Sequence, residues 1–268
     1  RIEDSYTFLT EGDLADDVSV FNVGANWFLD DAWRLFVRRD GNFRFAKVDE
    51  QLDSDKGTSG LKTQTGVSYE AGAQWQQSGY EARLVIYRLD LDNEIDTSPT
   101  ASLFGPFPAN TNLEPTRRDG ILLQTHWRLS SDLKVGANYG YADARFRSGA
   151  YKGRRIPLVA EHSLSVDARW QPGAGWLLGG EATRLSDRYV SGDYANILRK
   201  LDDHVLVNVN ARYQHGPWVV EGRINNLTDQ MYSSTGARPR QTWPTTEATF
   251  YPAPDRHFML LLAYQLGQ

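Results

Sequence analysis

The stretch His204–Asn225, HVLVNVNARYQHGPWVVEGRIN, decides how the chain folds. Val205, Val207, Val209, Ala211 and Tyr213 fall on one parity, and His204, Asn208, Asn210, Arg212 and Gln214 fall on the other. An extended backbone sends successive side chains to opposite faces, so this stretch reads as a strand with one apolar and one polar side. Gly216-Pro217 interrupts it with turn formers, and an apolar strand resumes at Trp218. The unit is an antiparallel hairpin.

The same period of two extends in both directions. Leu164, Val166, Ala168 and Trp170 oppose Ser163, Ser165, Asp167 and Arg169, while Val67, Tyr69, Ala71, Ala73 and Trp75 oppose Ser68, Glu70, Gln74 and Gln76. Near the C-terminus Phe258, Leu260, Leu262, Tyr264 and Leu266 form another stripe, blurred by Met259 and Leu261 on the other face. Helical spacing of apolar residues does not persist for three turns anywhere. The pattern predicts an all-β chain of about twelve strands, at 1–9, 18–29, 33–46, 67–77, 80–91, 119–129, 133–147, 161–171, 175–187, 203–214, 217–226 and 257–266.

Connections between these strands alternate in length. Short ones fall at 28–33, 76–80, 129–133, 171–175 and 214–218, and long ones at 47–66, 92–118, 148–160, 188–202 and 227–256. An ordinary sandwich has no reason to gather its long loops at one end. An antiparallel transmembrane barrel does, with tight periplasmic turns at one rim, long extracellular loops at the other, and strands of about 9–11 residues crossing the bilayer. Trp27, Trp33, Trp75, Trp127, Trp170, Trp176 and Trp218 all lie within a few residues of a short turn; only Trp243 sits in a long loop. Indoles favour the headgroup level, so this placement reads as an interfacial girdle and puts the C-terminus in the periplasm.

Composition agrees. With 29 Lys and Arg against 34 Asp and Glu, a net charge of -5 offers no basic face for nucleic acid. The longest apolar run, Phe258–Tyr264, is far short of the roughly 20 residues of a spanning helix. Absence of cysteine removes disulfides, thiolate metal sites and cysteine nucleophiles. The opening residues lack the basic and apolar regions of a signal peptide, so a mature or internal segment is expected.

Several segments resemble the C-terminal half of the TonB-dependent outer-membrane receptors, active importers of ferric siderophores, haem, cobalamin and related scarce nutrients. The most specific is Val209–Tyr232, whose Asn225, Asn226, Leu227, Thr228, Asp229 and Tyr232 are similar to that family's penultimate hairpin signature. Support comes from Ser68-Tyr69-Glu70-Ala71-Gly72, from Gly153-Arg154-Arg155-Ile156-Pro157-Leu158, from Gly192-Asp193 with Asn196, and from Tyr251-Pro252, Pro254 and Arg256. Order and spacing match over essentially the whole chain. The resemblance implies that residues 1–268 are the C-terminal portion of a barrel of about 22 strands, without the N-terminal plug and first strands. A stand-alone twelve-stranded passive or substrate-specific porin is the alternative. The ending Leu266-Gly267-Gln268 departs from the family's aromatic terminus.

In this reading the protein is not an enzyme and needs no cofactor. It imports a ferric siderophore or similar chelate through the outer membrane, with partners in the plug, the remaining strands, TonB acting through the plug, and the surrounding lipid. Such cargo needs aromatic faces and cationic donors. The loops offer Phe43 and Arg44; Phe104 and Phe107 with Arg117 and Arg118; Tyr151 with Arg154 and Arg155; Tyr189 with Tyr194; and Trp243. Arg128, Arg169, Glu181, Arg212, Glu221 and Arg223 would face the interior, where charge is tolerated. Phe43-Arg44-Phe45 followed by Val48-Asp49-Glu50 resembles the family segment in which an arginine precedes an acidic pair, but Ala46 and Lys47 stand where haem-specific members carry a proline and a ligating histidine. The five histidines are scattered without metal-binding spacing, so no metal site is expected. Asn225, Asn226 and Asp229 are expected to bond nearby backbone and fix the start of the longest loop.

Overall fold

Alternation becomes extended hairpins in the computed structural model, which describes residues 2–6, 12–52, 60–101, 108–238 and 247–265, with backbone only at 2–6, 12–16, 52, 98–101 and 108. Along the chain come β1 (Ile2–Tyr6), β2 (Gly12–Asp16), β3 (Asn22–Phe28), β4 (Trp33–Arg44), a short helix α1 (Val48–Leu52), β5 (Gln64–Gln77) and β6 (Tyr80–Asp92). Then follow β7 (Ile95–Ala101), β8 (Pro108–Asn112), β9 (Thr116–Arg128), β10 (Leu133–Phe146), β11 (His162–Gly173) and β12 (Trp176–Leu185). Last are β13 (His204–His215), β14 (Trp218–Asn225), β15 (Ser233–Ala237), β16 (Thr249–Pro252) and β17 (His257–Tyr264).

Eleven strands form one antiparallel sheet in the order β17-β14-β13-β12-β11-β10-β9-β6-β5-β4-β3; the other six make the ribbons β1–β2, β7–β8 and β15–β16. Each sheet strand therefore lies beside the next sheet strand in sequence, an up-and-down meander. The sheet is open: among the described residues β3 and β17 are its edges. The expected fold of about twelve antiparallel strands holds, with eleven of them in the wall. Within the expected stretch 1–9, Ile2–Tyr6 is a strand but pairs with Gly12–Asp16 and not with the wall. Its sequence explains why: Ile2, Asp4 and Tyr6 make no apolar stripe to set against a wall strand. The expected long loops also carry structure of their own, in α1 and two of the ribbons.

Register sorts the side chains. Leu35, Ala73, Leu84, Leu123, Tyr139 and Leu164 pair across six strands as one row, and Arg34, Gln74, Arg83, Gln124, Asn138 and Ser165 form the next row on the other face. The apolar face is uncovered: Ile86 is 58% exposed, Phe258 70% and Leu260 80%. So large a bare apolar surface on a single-layered sheet needs hydrocarbon against it. Trp27, Trp33, Trp127, Trp170, Trp176 and Trp218 are exposed beside the short turns. Trp75 joins them through its pairing with Trp33, rings 6.5 Å apart. Trp170 Nε1 donates to Asp132 Oδ2 of the next turn at 3.1 Å, giving the indole's polar edge a partner at the boundary.

Turn chemistry sets the tight rim. Ser78 and Gly79 both have positive φ (49° and 87°), the conformation a two-residue hairpin needs between Gln77 and Tyr80. Asp30 Oδ1 accepts from the backbone N–H of Ala32 and Trp33, at 2.8 and 2.7 Å, closing the first turn.

On the polar face several long side chains lie flat across glycines of neighbouring strands. A methyl group at Gly72 would come within 2.5 Å of both Phe36 Cζ and the Leu84 carbonyl oxygen, and one at Gly136 within 2.5 Å of Asp167 Oδ1. Tyr87 lies over Gly120 and Asn210 over Gly179 in the same way.

Candidate ligand-capturing rim

Packing that the sheet itself lacks is found among the long connections. Leu113, Ala144, Phe146, Ile156 and Tyr194 form one buried cluster, with Tyr151 and Val159 against it. Phe146, Tyr151 and Tyr194 meet ring to ring at 5.6–5.7 Å. A second cluster joins Ala46, Leu61 and Ile95.

Hydrogen bonds sew the five excursions together. Between the first two, Asn112 Nδ2 donates to the Lys62 carbonyl at 2.9 Å, and its Oδ1 accepts from the Lys62 N–H at 2.8 Å. Buried Gln51 pins the first to itself through paired bonds with the Leu61 backbone, both 3.0 Å. The second is tied to the fourth by Tyr194, whose hydroxyl lies 3.0 Å from Asp96 Oδ2 and 2.6 Å from the Thr97 carbonyl oxygen. Asn196 joins the fourth to the third, accepting from the Arg155 N–H at 2.6 Å and donating to the Arg155 carbonyl at 3.0 Å. Arg188 donates to the Ser234 carbonyl at 2.9 Å, linking the fourth to the fifth.

The expected site residues divide sharply on this scaffold. Phe43 is 46% exposed and sits edge-on to Phe45 at 5.2 Å. Arg44 forks onto Glu50, with Nη1 3.0 and 2.8 Å from the two carboxylate oxygens, while Glu50 Oε2 also accepts the Lys47 N–H at 2.9 Å and caps α1. Burial raises the Glu50 carboxyl, but the Arg44 guanidinium and the Lys47 N–H outweigh it and hold the group below the usual carboxylate range. Arg117 pairs in register with Asp90 and Arg145, which places it on the apolar face rather than inside. Arg118 lies on the polar face and meets Glu94 at 2.6 Å. Tyr151 is half-buried and Arg154 exposed. Arg155 pairs with Glu161 at 2.5 Å, a contact that holds the glutamate low. Tyr189 is half-buried beneath the Lys200 ammonium, 4.8 Å from its ring centre. Tyr194 is 2% exposed and acts as a post within the rim instead of presenting a surface. Burial is the chief cause that drives its phenol well above the usual range, with Asp96 adding to it; burial likewise raises Asp96. Phe104, Phe107 and Trp243 lie outside the described residues.

Register puts Arg128, Arg169, Glu181, Arg212, Glu221 and Arg223 on the polar face. Asp167, Arg169, Glu181, Asn208 and Arg223 line a cleft of about 310 Å3, in which Asn208 Nδ2 donates to Glu181 Oε1 at 2.8 Å. Asn226 exchanges two hydrogen bonds with the Gln230 backbone, at 3.0 and 2.9 Å, and Asp229 Oδ1 accepts the Arg256 N–H at 3.0 Å. Together they close the base of the longest loop. Sequence reading missed Asp96, Gln51 and Asn112, whose partners lie 98, 10 and 50 residues away. The Gly192-Asp193…Asn196 spacing was the one signal nearby. Asp193 is buried and accepts the N–H groups of Ile197 and Leu198, which shapes the turn that delivers Tyr194.

A model of the family described as TonB dependent receptor-like, beta-barrel, matches residues 1–227. Among solved structures, the ferric-catecholate import receptor Fiu from Escherichia coli K12 superposes with a TM-score of 0.70 at 15% identity, over 96% of this chain and 37% of its own. The ferric citrate transporter FecA gives 0.73 at 16% identity, over 95% and 39%, and the copper transporter OprC gives 0.73 at 16%, over 95% and 43%. The chain thus spans less than half the length of the solved structures it matches.

Proposed function

Because the chain belongs to the TonB-dependent receptor-like β-barrel family, we propose that it supplies the C-terminal wall and the ligand-capturing loops of an outer-membrane receptor that actively imports a ferric siderophore. The observation that carries this reading is one sheet with a bare apolar face, a charged opposite face, and five excursions bonded together at one rim. An apolar face suits lipid, a charged face suits a water-filled or plugged interior, and a bonded rim suits capture. The C-terminal end of β17 pairs Tyr264 with Trp218 at the short-turn rim, so the chain's end belongs in the periplasm. An N-terminal plug, the remaining strands and TonB acting through the plug complete the machine.

Capture falls to Phe43, Tyr151, Arg154 and Tyr189, with Phe104, Phe107 and Trp243 assigned to the same surface. Arg44, Arg118, Arg155 and Tyr194 hold that surface in shape. Planar chelators with delocalised negative charge fit aromatic rings and guanidinium groups. Copper would favour soft sulfur donors, and the sequence holds two methionines and no cysteine. A stand-alone pore fits less well, since it would require β3 and β17 to pair with each other.

The test is growth of a receptor-deficient strain under iron chelation, carrying the full receptor that contains this chain, on a panel of ferric siderophores. Rescue by one chelate, abolished when TonB is deleted, is the expected result. Growth that is indifferent to TonB, with steady ion conduction by the purified protein, would replace the importer with a passive pore.

A further inference from the structure

A concavity of about 910 Å3 opens on the apolar face, on the side away from the short turns. Its floor is the row Val37, Ala71 and Ile86, and above it lies the row Arg39, Tyr69, Arg88 and Asp119. Next comes Val67, Asp90, Arg117 and Arg145. Charged side chains therefore share a face with exposed aliphatic ones, Val37 at 42% and Ile86 at 58%. Depth explains the change. Arg117 is ten residues up β9 from Trp127, which is about 25 Å for a strand rising 3.3 Å per residue at a tilt near 40°, the height of the apolar band. The arginines stand at the outer boundary of the hydrocarbon.

Their mutual pairing leaves cation in excess. Arg88 Nε meets Asp119 at 2.7 Å, Asp90 receives both Arg117 at 2.7 Å and Arg147 at 2.8 Å, and Arg145 meets Asp143 at 2.7 Å. Arg39 stacks 3.8 Å over the Phe21 ring and donates to its carbonyl. Of the outward-facing residues that line the concavity, Arg39, Arg88 and Arg117 stand against Asp90 and Asp119, a local charge of +1 (3 − 2) in a chain whose net charge is -5, and Arg147 shares Asp90 with Arg117. The Nη groups of Arg88 make no hydrogen bond to a described residue.

We propose that this concavity binds a phosphate-bearing lipid of the outer leaflet, with its headgroup on Arg39, Arg88 and Arg117 and an acyl chain along Val37, Ala71 and Ile86. Guanidinium groups fork onto phosphate oxygens, and the aliphatic floor continues into the band where acyl chains lie. A free phosphate would use only the upper half of the site. The proposal rests on the apolar face being the lipid face.

The experiment uses the full receptor containing this chain, purified in mild detergent and exchanged into phosphatidylcholine vesicles doped with a bis-phosphorylated lipid A, with bound lipid counted by native mass spectrometry. Arg88→Ala with Arg117→Ala is expected to lower retention about tenfold. Arg88→Lys with Arg117→Lys should keep most of it. Arg184→Ala, an exposed arginine of the same face paired with Asp203, should leave retention unchanged. Heat-modifiable electrophoretic mobility verifies that each variant is folded. Equal retention by the double alanine variant, equal binding of dephosphorylated lipid, or full displacement by inorganic phosphate each overturns the proposal. If Leu164→Lys is also costless, the lipid-facing reading itself has failed; if that change is costly, only the headgroup site has.

Discussion

Replacing Tyr194 by phenylalanine removes one oxygen from the centre of the rim and leaves the ring stack with Phe146 and Tyr151 in place. The lost hydroxyl serves Asp96 Oδ2 and the Thr97 carbonyl, in a side chain that is 2% exposed. The single O–H donates to one of these oxygens at a time, and leaving a buried polar partner without its hydrogen bond costs on the order of 1–3 kcal/mol, so local opening of the β7 segment should be roughly 5- to 150-fold more frequent. Hydrogen exchange followed by mass spectrometry, on protein in lipid, reads this directly in peptides covering 94–97 and 190–200. Acidity gives a second handle. Burial raises the Asp96 carboxyl above its ordinary 3.8, so its contribution is complete below that value and declines as pH rises through the elevated one. Protection of the segment should therefore fall from acidic toward neutral pH, and Asp96→Asn should flatten that slope. The tyrosine, also raised, keeps its proton throughout this range. Unchanged exchange in Tyr194→Phe, alongside a strong effect of Tyr194→Ala, would mean that ring packing alone holds the rim and that the bond to Asp96 is incidental.

Other outcomes follow from the same geometry. Leu164→Lys or Val207→Lys should cost about 2–4 kcal/mol in urea titrations of vesicle-inserted protein, while Arg212→Lys on the opposite face should cost little. Gly72→Ala must displace Phe36 or the Leu84 backbone and should lose about 1–3 kcal/mol in the same titration, whereas Gly222, with open space around it, should accept alanine at no cost. Glu50→Gln should loosen α1 by about 1 kcal/mol, seen as faster proteolysis between 45 and 63. Because the Glu50 pKa is depressed, wild-type protection there should persist above the usual glutamate range and fade as pH falls through the lowered value.

The wall was legible because each sheet strand carries its two faces in its own sequence. Gly216-Pro217 and Ser78-Gly79 sit where the structure turns, and the expected spans of strands such as 80–91 and 133–147 agree with β6 and β10 within a residue. Within 1–9 the strand Ile2–Tyr6 forms but pairs with β2 outside the wall, and no apolar stripe runs through it. Rim contacts had no comparable signal. Tyr194 and Asp96 are 98 residues apart, and only the fold brings them together. Choosing loop aromatics and arginines by type therefore gathered two populations, exposed ones such as Arg154 and buried posts such as Tyr194. Arg117 was misjudged for a different reason: it stands beside Arg118, and in a strand neighbours look in opposite directions.

Phe36, Tyr87, Asp167 and Asn210 all recline over glycines. If cargo descends along that side, it meets aromatic, carboxylate and amide groups lying low between exposed arms such as Arg223 and Glu181. Each such glycine leaves its neighbour a place to recline, and alanine there would lift that neighbour away from the wall without altering a single charge.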